Sequence, residues 1–305
     1  MSLLLIALLL TAPAPAPPPP LDLVVLGVAQ DAGYPQAGCE RACCRAHFEG
    51  REPRHFAASL ALLDRAGNRA WLFEATPDFK DQLELLRKAN GGRAPAIAGI
   101  FLTHAHIGHY AGLMHLGREV MGSRGVPVYV LPRFKAFLEN NGPWRLLVEL
   151  GNIELRPLEA DQAQEILPGV TVRPRLVPHR DEFSETAGFV LQTARRRVLF
   201  LPDIDKWEKW QVRIEDELAK VDLAFLDATF ASENELPGRN LAEIPHPLVT
   251  ESRRRFDPLP AEQRAKIRFL HFNHTNPLLT SAAARAELRA AGYELAQEGE
   301  LYPLD

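Results

Sequence analysis

Three of the chain's ten histidines, His104, His106 and His109, fall within six consecutive residues. Neutral imidazole is a good ligand for first-row metals, so this spacing lets one loop offer several donors to one or two ions. A lone histidine reads as a surface or satisfied core residue, but this group follows the apolar run Ile97 to Leu102, a short buried strand, by way of Thr103. A metal centre draws donors from separate segments, and four more stand just past strand-like runs: His179, Asp203, Asp227 and His274. Asp227 also reads as a helix cap or turn residue. The cysteines are equally concentrated: Cys39, Cys43 and Cys44 are the only three, and an odd number cannot pair off as disulfides. A zinc-binding loop is the expectation there, against a disulfide from Cys39 to one neighbour or a local ligand in His47.

The elements that must hold these residues alternate along the chain. Besides the run ending at Leu102, strands are predicted at Leu21 to Leu26, Ala57 to Leu63, Ala70 to Glu74, Pro127 to Leu131, Val170 to Val177, Gly188 to Gln192, Val198 to Leu201, Leu223 to Leu226 and Ile267 to Leu270. Helical periodicity follows Pro77, with Phe79, Leu83 and Leu86 on one face, and runs from near His109 through Leu116. Further helices are predicted at Trp207 to Lys220, His246 to Phe256 and Ala282 to Ala291. Trp207 and Trp210 read as packing on one helix face, and His115 as a core or edge residue. No Pro/Gly/Ser linker divides the chain after Leu21, which predicts one α/β domain over residues 21–305, with two sheets face to face and helices outside.

Thr103 to His109 resembles the motif of the metallo-beta-lactamase superfamily: histidine, any residue, histidine, any residue, aspartate, histidine, placed after a strand. The resemblance implies an αββα sandwich, a first metal held by His104, His106 and His179, and a second held by His109 and His274. Asp203 would sit between the two ions. Gly108 stands where the family has its aspartate and offers no ligand. The expectation is therefore a second metal with three protein ligands, or a mononuclear centre. Zinc there would bring the pKa of bound water towards ~7, with Asp203 orienting the resulting hydroxide.

Two further stretches are similar to the coenzyme PQQ synthesis protein B branch: Leu26 to Val28 with Gly33 to Gln36, Gly38 and Cys39, and Leu270 to Pro277. In that branch the first loop's cysteines and a late histidine hold a structural zinc. This implies a closed Cys3His site of Cys39, Cys43, Cys44 and His271, although Arg41 stands at the place of the branch's second cysteine. Asp227 to Thr229 with Pro245 and His246 resembles the acidic residue and histidine of tRNA-processing and phosphodiesterase relatives, which implies His246 as a proton donor. By itself His246 also reads as a surface residue opening a helix. The resulting expectation is a zinc hydrolase of a phosphodiester, ester or lactone, with Asp203, Asp227 and His246 as catalytic residues. The alternatives are an oxidative step in PQQ biosynthesis with iron on the same ligands, a transport role in that pathway, and a non-catalytic metal-binding protein.

A net charge of -4 over 305 residues, with no Lys/Arg-rich block, argues against a nucleic-acid-coating surface and for a small-molecule substrate. Arg195 to Arg197 suit a hairpin turn. Residues 1–20 combine the apolar run Leu3 to Leu10 with Thr11, Ala12 and a Pro/Ala tail, which reads as a signal or anchor segment. The apolar run is too short for a bilayer, which needs about 20 residues. Export to the periplasm without a membrane span in the mature protein is expected; with a wrongly chosen start, the protein would be cytoplasmic. The sequence carries no signature of an oligomeric state.

Overall fold

Strands that are apolar on both faces need cover on both faces, and this fold provides it. In a computed structural model that describes residues 20–304, the strands form two seven-stranded sheets. The first contains β1 (Leu21–Gly27), β2 (Ser59–Asp64), β3 (Arg69–Phe73), β4 (Ala96–Phe101), β5 (Val126–Val130) and β6 (Ile153–Pro157). The second contains β7 (Gln164–Leu167), β8 (Val170–Leu176), β9 (Ala187–Gln192), β10 (Arg197–Leu201), β11 (Leu223–Asp227), β12 (Ile267–Leu270) and β13 (Glu294–Leu295). The chain then returns, and β14 (Leu301–Pro303) pairs antiparallel with β1.

Each half runs the same course. Antiparallel strands come first, β1 to β3 and β7 to β10, and parallel strands follow, from β3 to β6 and from β10 to β13. Parallel neighbours need crossovers, so the ends of β4, β10, β11 and β12 open onto one edge. The sheets meet face to face across Phe73, Phe101 and Phe189, whose ring centroids lie 5.4 to 5.9 Å apart. Helices Phe79–Ala89, Pro132–Asn140 and Trp144–Glu149 bury Phe79, Leu86, Phe134, Leu138, Trp144 and Leu147 on the outer face of the first sheet. Ile214, Leu218, Phe256 and Leu288, from three later helices, join the core of the second. This is the αββα layering expected from the sequence.

Several elements differ from expectation. The helix expected over Trp207 to Lys220 is a 3-10 turn, Trp207–Lys209, and a short helix, Ile214–Leu218. Each indole is held by its own hydrogen bond, Trp207 Nε1 to Ser252 Oγ at 2.9 Å and Trp210 Nε1 to the Leu176 carbonyl at 2.9 Å, and the backbone leaves the helical conformation at Trp210 and at Arg213. The helix expected from His246 starts at Val249, because Pro247 disfavours a helical conformation in the residue before it. The segment after His106 is a single turn, Ile107–Tyr110, passing into a 3-10 helix, Ala111–Leu116. Helices Ala42–Phe48, Pro132–Asn140 and Trp144–Glu149, and strands β6, β7, β13 and β14, were not expected. The N-terminal segment read as a signal lies outside the described residues. Among the described residues no helix is long and apolar enough to cross a membrane.

Candidate metal centre

The donors gather at the edge where strands of both sheets end. His104, His106 and His109 follow β4, His179 follows β8, Asp203 follows β10, Asp227 closes β11 and His271 is the first residue beyond β12. Two residues not expected from the sequence join them: Asp31, past β1, and Glu74, directly after β3. Asp31, Glu74 and His271 have φ of 31°, 82° and 65°, a strained region for residues with a side chain and one that collects at functional sites.

Two sets of ligand atoms lie beside one another, and Asp203 belongs to the second and faces the first. In the first, His104, His106 and His179 bring ring nitrogens within 4.8 Å of one another, with His104 Nε2 only 2.8 Å from His106 Nδ1. In the second, His109 Nε2 lies 2.8 Å from Asp203 Oδ2 and 3.3 Å from Asp31 Oδ1, and His271 Nε2 lies 3.3 and 3.4 Å from the same two oxygens. Ligand atoms around a tetrahedral zinc, at bond lengths of about 2.0–2.1 Å, stand about 3.3 Å apart. Asp203 faces both sets, with Oδ2 3.8 Å from His104 Nε2 and Oδ1 3.9 Å from His179 Nε2.

The surrounding hydrogen bonds fix which nitrogen of each ring is free. Glu74 accepts from Thr103 Oγ1 and from His109 Nδ1 at 3.3 Å, so in the neutral ring that binds a metal the His109 lone pair would be on Nε2. With its proton committed to Glu74, Thr103 Oγ1 accepts from His104 Nδ1 at 2.8 Å, which leaves His104 Nε2 bare. Thr229 Oγ1 donates to Asp227 at 2.7 Å and accepts from His271 Nδ1 at 2.9 Å, which frees His271 Nε2. His106 Nε2 donates to Glu182 at 2.9 Å, which turns its free Nδ1 towards the bare His104 Nε2. Two facing lone pairs at that separation repel; the Arg180 guanidinium, 3.5 Å from His106 Nδ1, offsets part of this, and a metal ion held by both rings would remove it. His109 Nε2, His179 Nε2, His271 Nε2 and Asp203 Oδ2 are buried without a hydrogen-bond partner, and each such group costs about 1–3 kcal/mol. The donor set and these orphaned atoms fit a bound metal.

The electrostatics agree. Burial drives the proton affinity of His104 well below the usual histidine range, helped by the neighbouring His109, and that of His179 down to about 4, so both are neutral as ligation requires. Burial works against ionisation of Asp203 and Asp31, but His271 and His109 beside them outweigh it and hold both carboxylates well below their ordinary range. Against burial, Asp203 and Glu74 push His109 well up. The cluster therefore has an excess of anionic groups around a small space, which a divalent cation would balance.

Beside this centre, His246 Nδ1 donates to Asp227 Oδ2 at 2.8 Å and lies 3.4 Å from Asp203 Oδ1. Asp227 is itself fixed by the Ile204 and Thr229 amides at 3.2 and 2.9 Å. Burial disfavours the imidazolium, but Asp227 and then Asp203 outweigh it and raise the proton affinity of His246. His246 is thus a buried residue at the centre, with its proton affinity raised, and not the surface residue opening a helix that was one of its readings.

The structure exchanges the roles expected of two histidines. His271, expected with the cysteines, belongs to the histidine and aspartate centre; His274, expected there, groups with Cys39, Cys43 and Cys44 within 4.8 Å. The cause is local. His271 leaves β12 at the shared edge; Phe272 then donates to the Val28 carbonyl and accepts from Gln30 N, both at 2.9 Å, which carries the chain away to the cysteine loop. His274 Nδ1 donates to Asn273 Oδ1 at 3.0 Å and leaves Nε2 for the cluster.

All three cysteines are free, with Cys39 and Cys43 sulfurs 3.9 Å apart, too far for a disulfide and close to the spacing of two thiolates on one zinc, about 3.8 Å. His47 is engaged by the Glu52 carbonyl at 3.0 Å and is not part of the cluster. Burial and the neighbouring Cys39 push the Cys44 thiol up to about 12, whereas Cys39 is held below its ordinary value against burial by hydrogen bonds from Cys44 and the Arg41 amide. A bound metal would favour the thiolate form of all three.

Asp31 was within reach of the sequence rule that found the others, since it too follows an apolar strand. Glu74 had no such signal, because its role depends on which rings it faces.

The chain matches the family model described as "Beta-lactamase superfamily domain" over residues 69–264. That range holds His104 to His246 of the centre but neither Asp31, the cysteines, His271 nor His274. A coenzyme PQQ synthesis protein B from Methylobacterium radiotolerans is 28% identical over 309 residues, covering 90% of this chain and 97% of the relative. The crystal structure of zinc-bound PqqB from Methylobacterium extorquens superposes with a TM-score of 0.76 at 22% identity, over 92% of this chain and 99% of that one. A diphosphatase of the PhnP family gives 0.65 at 22%, over 93% and 97%.

Proposed function

The chain belongs to the beta-lactamase superfamily, and from that premise we propose that it is a metal-dependent hydrolase of a small phosphodiester-type substrate. One observation carries this reading: a buried histidine with raised proton affinity, His246, stands 3.4 Å from Asp203 at the centre of a donor set made for metal. A bound zinc would act as a Lewis acid on the substrate oxygen and lower the pKa of a bound water towards ~7. His104, His106 and His179 would hold one ion, and His109 and His271 would bind beside it, with Asp203 facing both. His246 would give its proton to the leaving oxygen, and Asp227 stabilises and orients the imidazolium.

Arg180 supports an anionic substrate. Its side chain is 53% exposed at the mouth, and Nη2 lies 3.5 Å from His106 Nδ1. Phosphodiesters suit both features, since their alkoxide leaving group needs a proton and their charge suits a guanidinium. Bis(p-nitrophenyl) phosphate and simple alkyl phosphodiesters are the probes. His106→Ala should lower kcat/KM by about 10³-fold or more, the several kcal/mol a catalytic metal supplies. Undiminished turnover would refute the reading.

Similarity along the chain to coenzyme PQQ synthesis proteins B favours a second reading, an oxidative step with iron on the same ligands. Oxygen uptake by iron-loaded protein with a quinone precursor would support it; active protein containing zinc alone would refute it.

A further inference from the structure

We propose that Asp31, from a different segment of the chain, replaces the carboxylate that Gly108 lacks, and completes a second metal site with His109, Asp203 and His271. The proposal rests on the metal-centre reading above and adds a ligand to it. Gly108 lies between His106 and His109, where a side chain would enter the centre. A Cβ built there would fall 2.4 Å from Asp31 Cα, 2.6 Å from its Cβ and 2.9 Å from its Cγ. Atoms of Asp31, backbone included, therefore fill the volume that a side chain at 108 would need. Glycine is what allows this approach.

The carboxylate is also where a ligand must be. Oδ1 of Asp31 lies 3.3 Å from His109 Nε2 and 3.4 Å from His271 Nε2, the spacing of donors on one tetrahedral ion. Those two nitrogens and Asp203 Oδ2 have no hydrogen-bond partner, and their side chains are 2%, 0% and 3% exposed. Three buried orphans and an added carboxylate face the same space.

The loop that brings Asp31 there is tied to the loop that brings His271. Ala29 forms β-bridges to both Ala57 and Phe272, and Gln30 N donates to the Phe272 carbonyl at 2.9 Å. Gly33 N closes the turn onto the Gln30 carbonyl at 2.9 Å, with Asp31 at φ 31° between them. A left-handed aspartate held in a tight turn, two residues past a strand bridge, is an ordered donor.

The test is zinc content under reducing conditions, by mass spectrometry after equilibration and dialysis, with a competitive titration for affinity. Wild type should hold three zinc ions per chain, two at the centre and one on the cysteines. Asp31→Asn keeps the shape but weakens the ligand, and Gly108→Ala displaces Asp31 without changing a donor. Each should lose one ion, or bind it at least about tenfold more weakly, and keep two. A wild type whose histidine and aspartate centre holds a single ion, counted after the cysteine zinc is identified by its loss in Cys44→Ala, or three ions at undiminished affinity in both variants, would overturn the inference and leave a mononuclear hydrolase intact. A wild type that holds no ion once the cysteine zinc is removed would overturn the metal-centre reading as well.

Discussion

The histidine centre and the cysteine cluster share two segments of the chain. The loop after β1 gives Asp31 to the centre and Cys39, Cys43 and Cys44 to the cluster, while the turn after β12 gives His271 to one and His274 to the other. Their chemistry differs. At the centre, carboxylates and imidazoles converge from both sheets, each ring oriented by a specific acceptor, with a buried proton donor alongside. At the cluster, three sulfurs and one imidazole form a closed donor set. A closed set holds a loop in place, whereas a set shared between two ions with a proton donor beside it leaves room for substrate.

The comparison can be broken most sharply at the proton donor. His246→Asn should lower kcat by about 10²-fold or more on alkyl phosphodiesters and much less on p-nitrophenyl esters, whose leaving group needs no proton. Equal loss on both would remove the acid role. Next comes orientation. Glu74→Gln removes the carboxylate that fixes His109 and, through Thr103, His104, so zinc affinity at the centre should fall about 10–100-fold while the cysteine zinc is unchanged. Weakening at both sites would show that the two are not separable. Arg180→Ala should raise KM about tenfold at constant kcat for an anionic substrate, and leave a neutral ester unaffected. Smallest in its effect on turnover is Cys44→Ala: kcat should stay within about twofold, while loss of about 2 kcal/mol lowers the unfolding midpoint by about 5 °C. A large fall in kcat with a full complement of metal at the centre would place the cluster in the chemistry.

The sequence made the sandwich legible because apolar strands alternate with amphipathic helices, and it made most of the centre legible because ligands follow strands. His104, His106, His109, His179 and Asp203 were all reached by that rule, and the structure gathers them at one edge. What it could not assign was the division of labour between His271 and His274. They are three residues apart, and the choice is made by the backbone pairing of Phe272 with Val28 and Gln30, a contact between chain ends. The same contact hid Asp31. A missing side chain at Gly108 is visible in sequence, but its replacement is a matter of distance between loops 77 residues apart, 31 to 108. Helices such as Pro132–Asn140 were missed because they are short, and packing on the sheet beneath decides their conformation.

The measurement that bears most directly on the whole account is anomalous diffraction at the zinc edge from wild-type crystals. Three peaks are predicted: one bounded by His104, His106 and His179, one by Asp31, His109, Asp203 and His271, and one by Cys39, Cys43, Cys44 and His274. A peak that pairs His271 with the cysteines, or no peak among the histidines and aspartates, would contradict it.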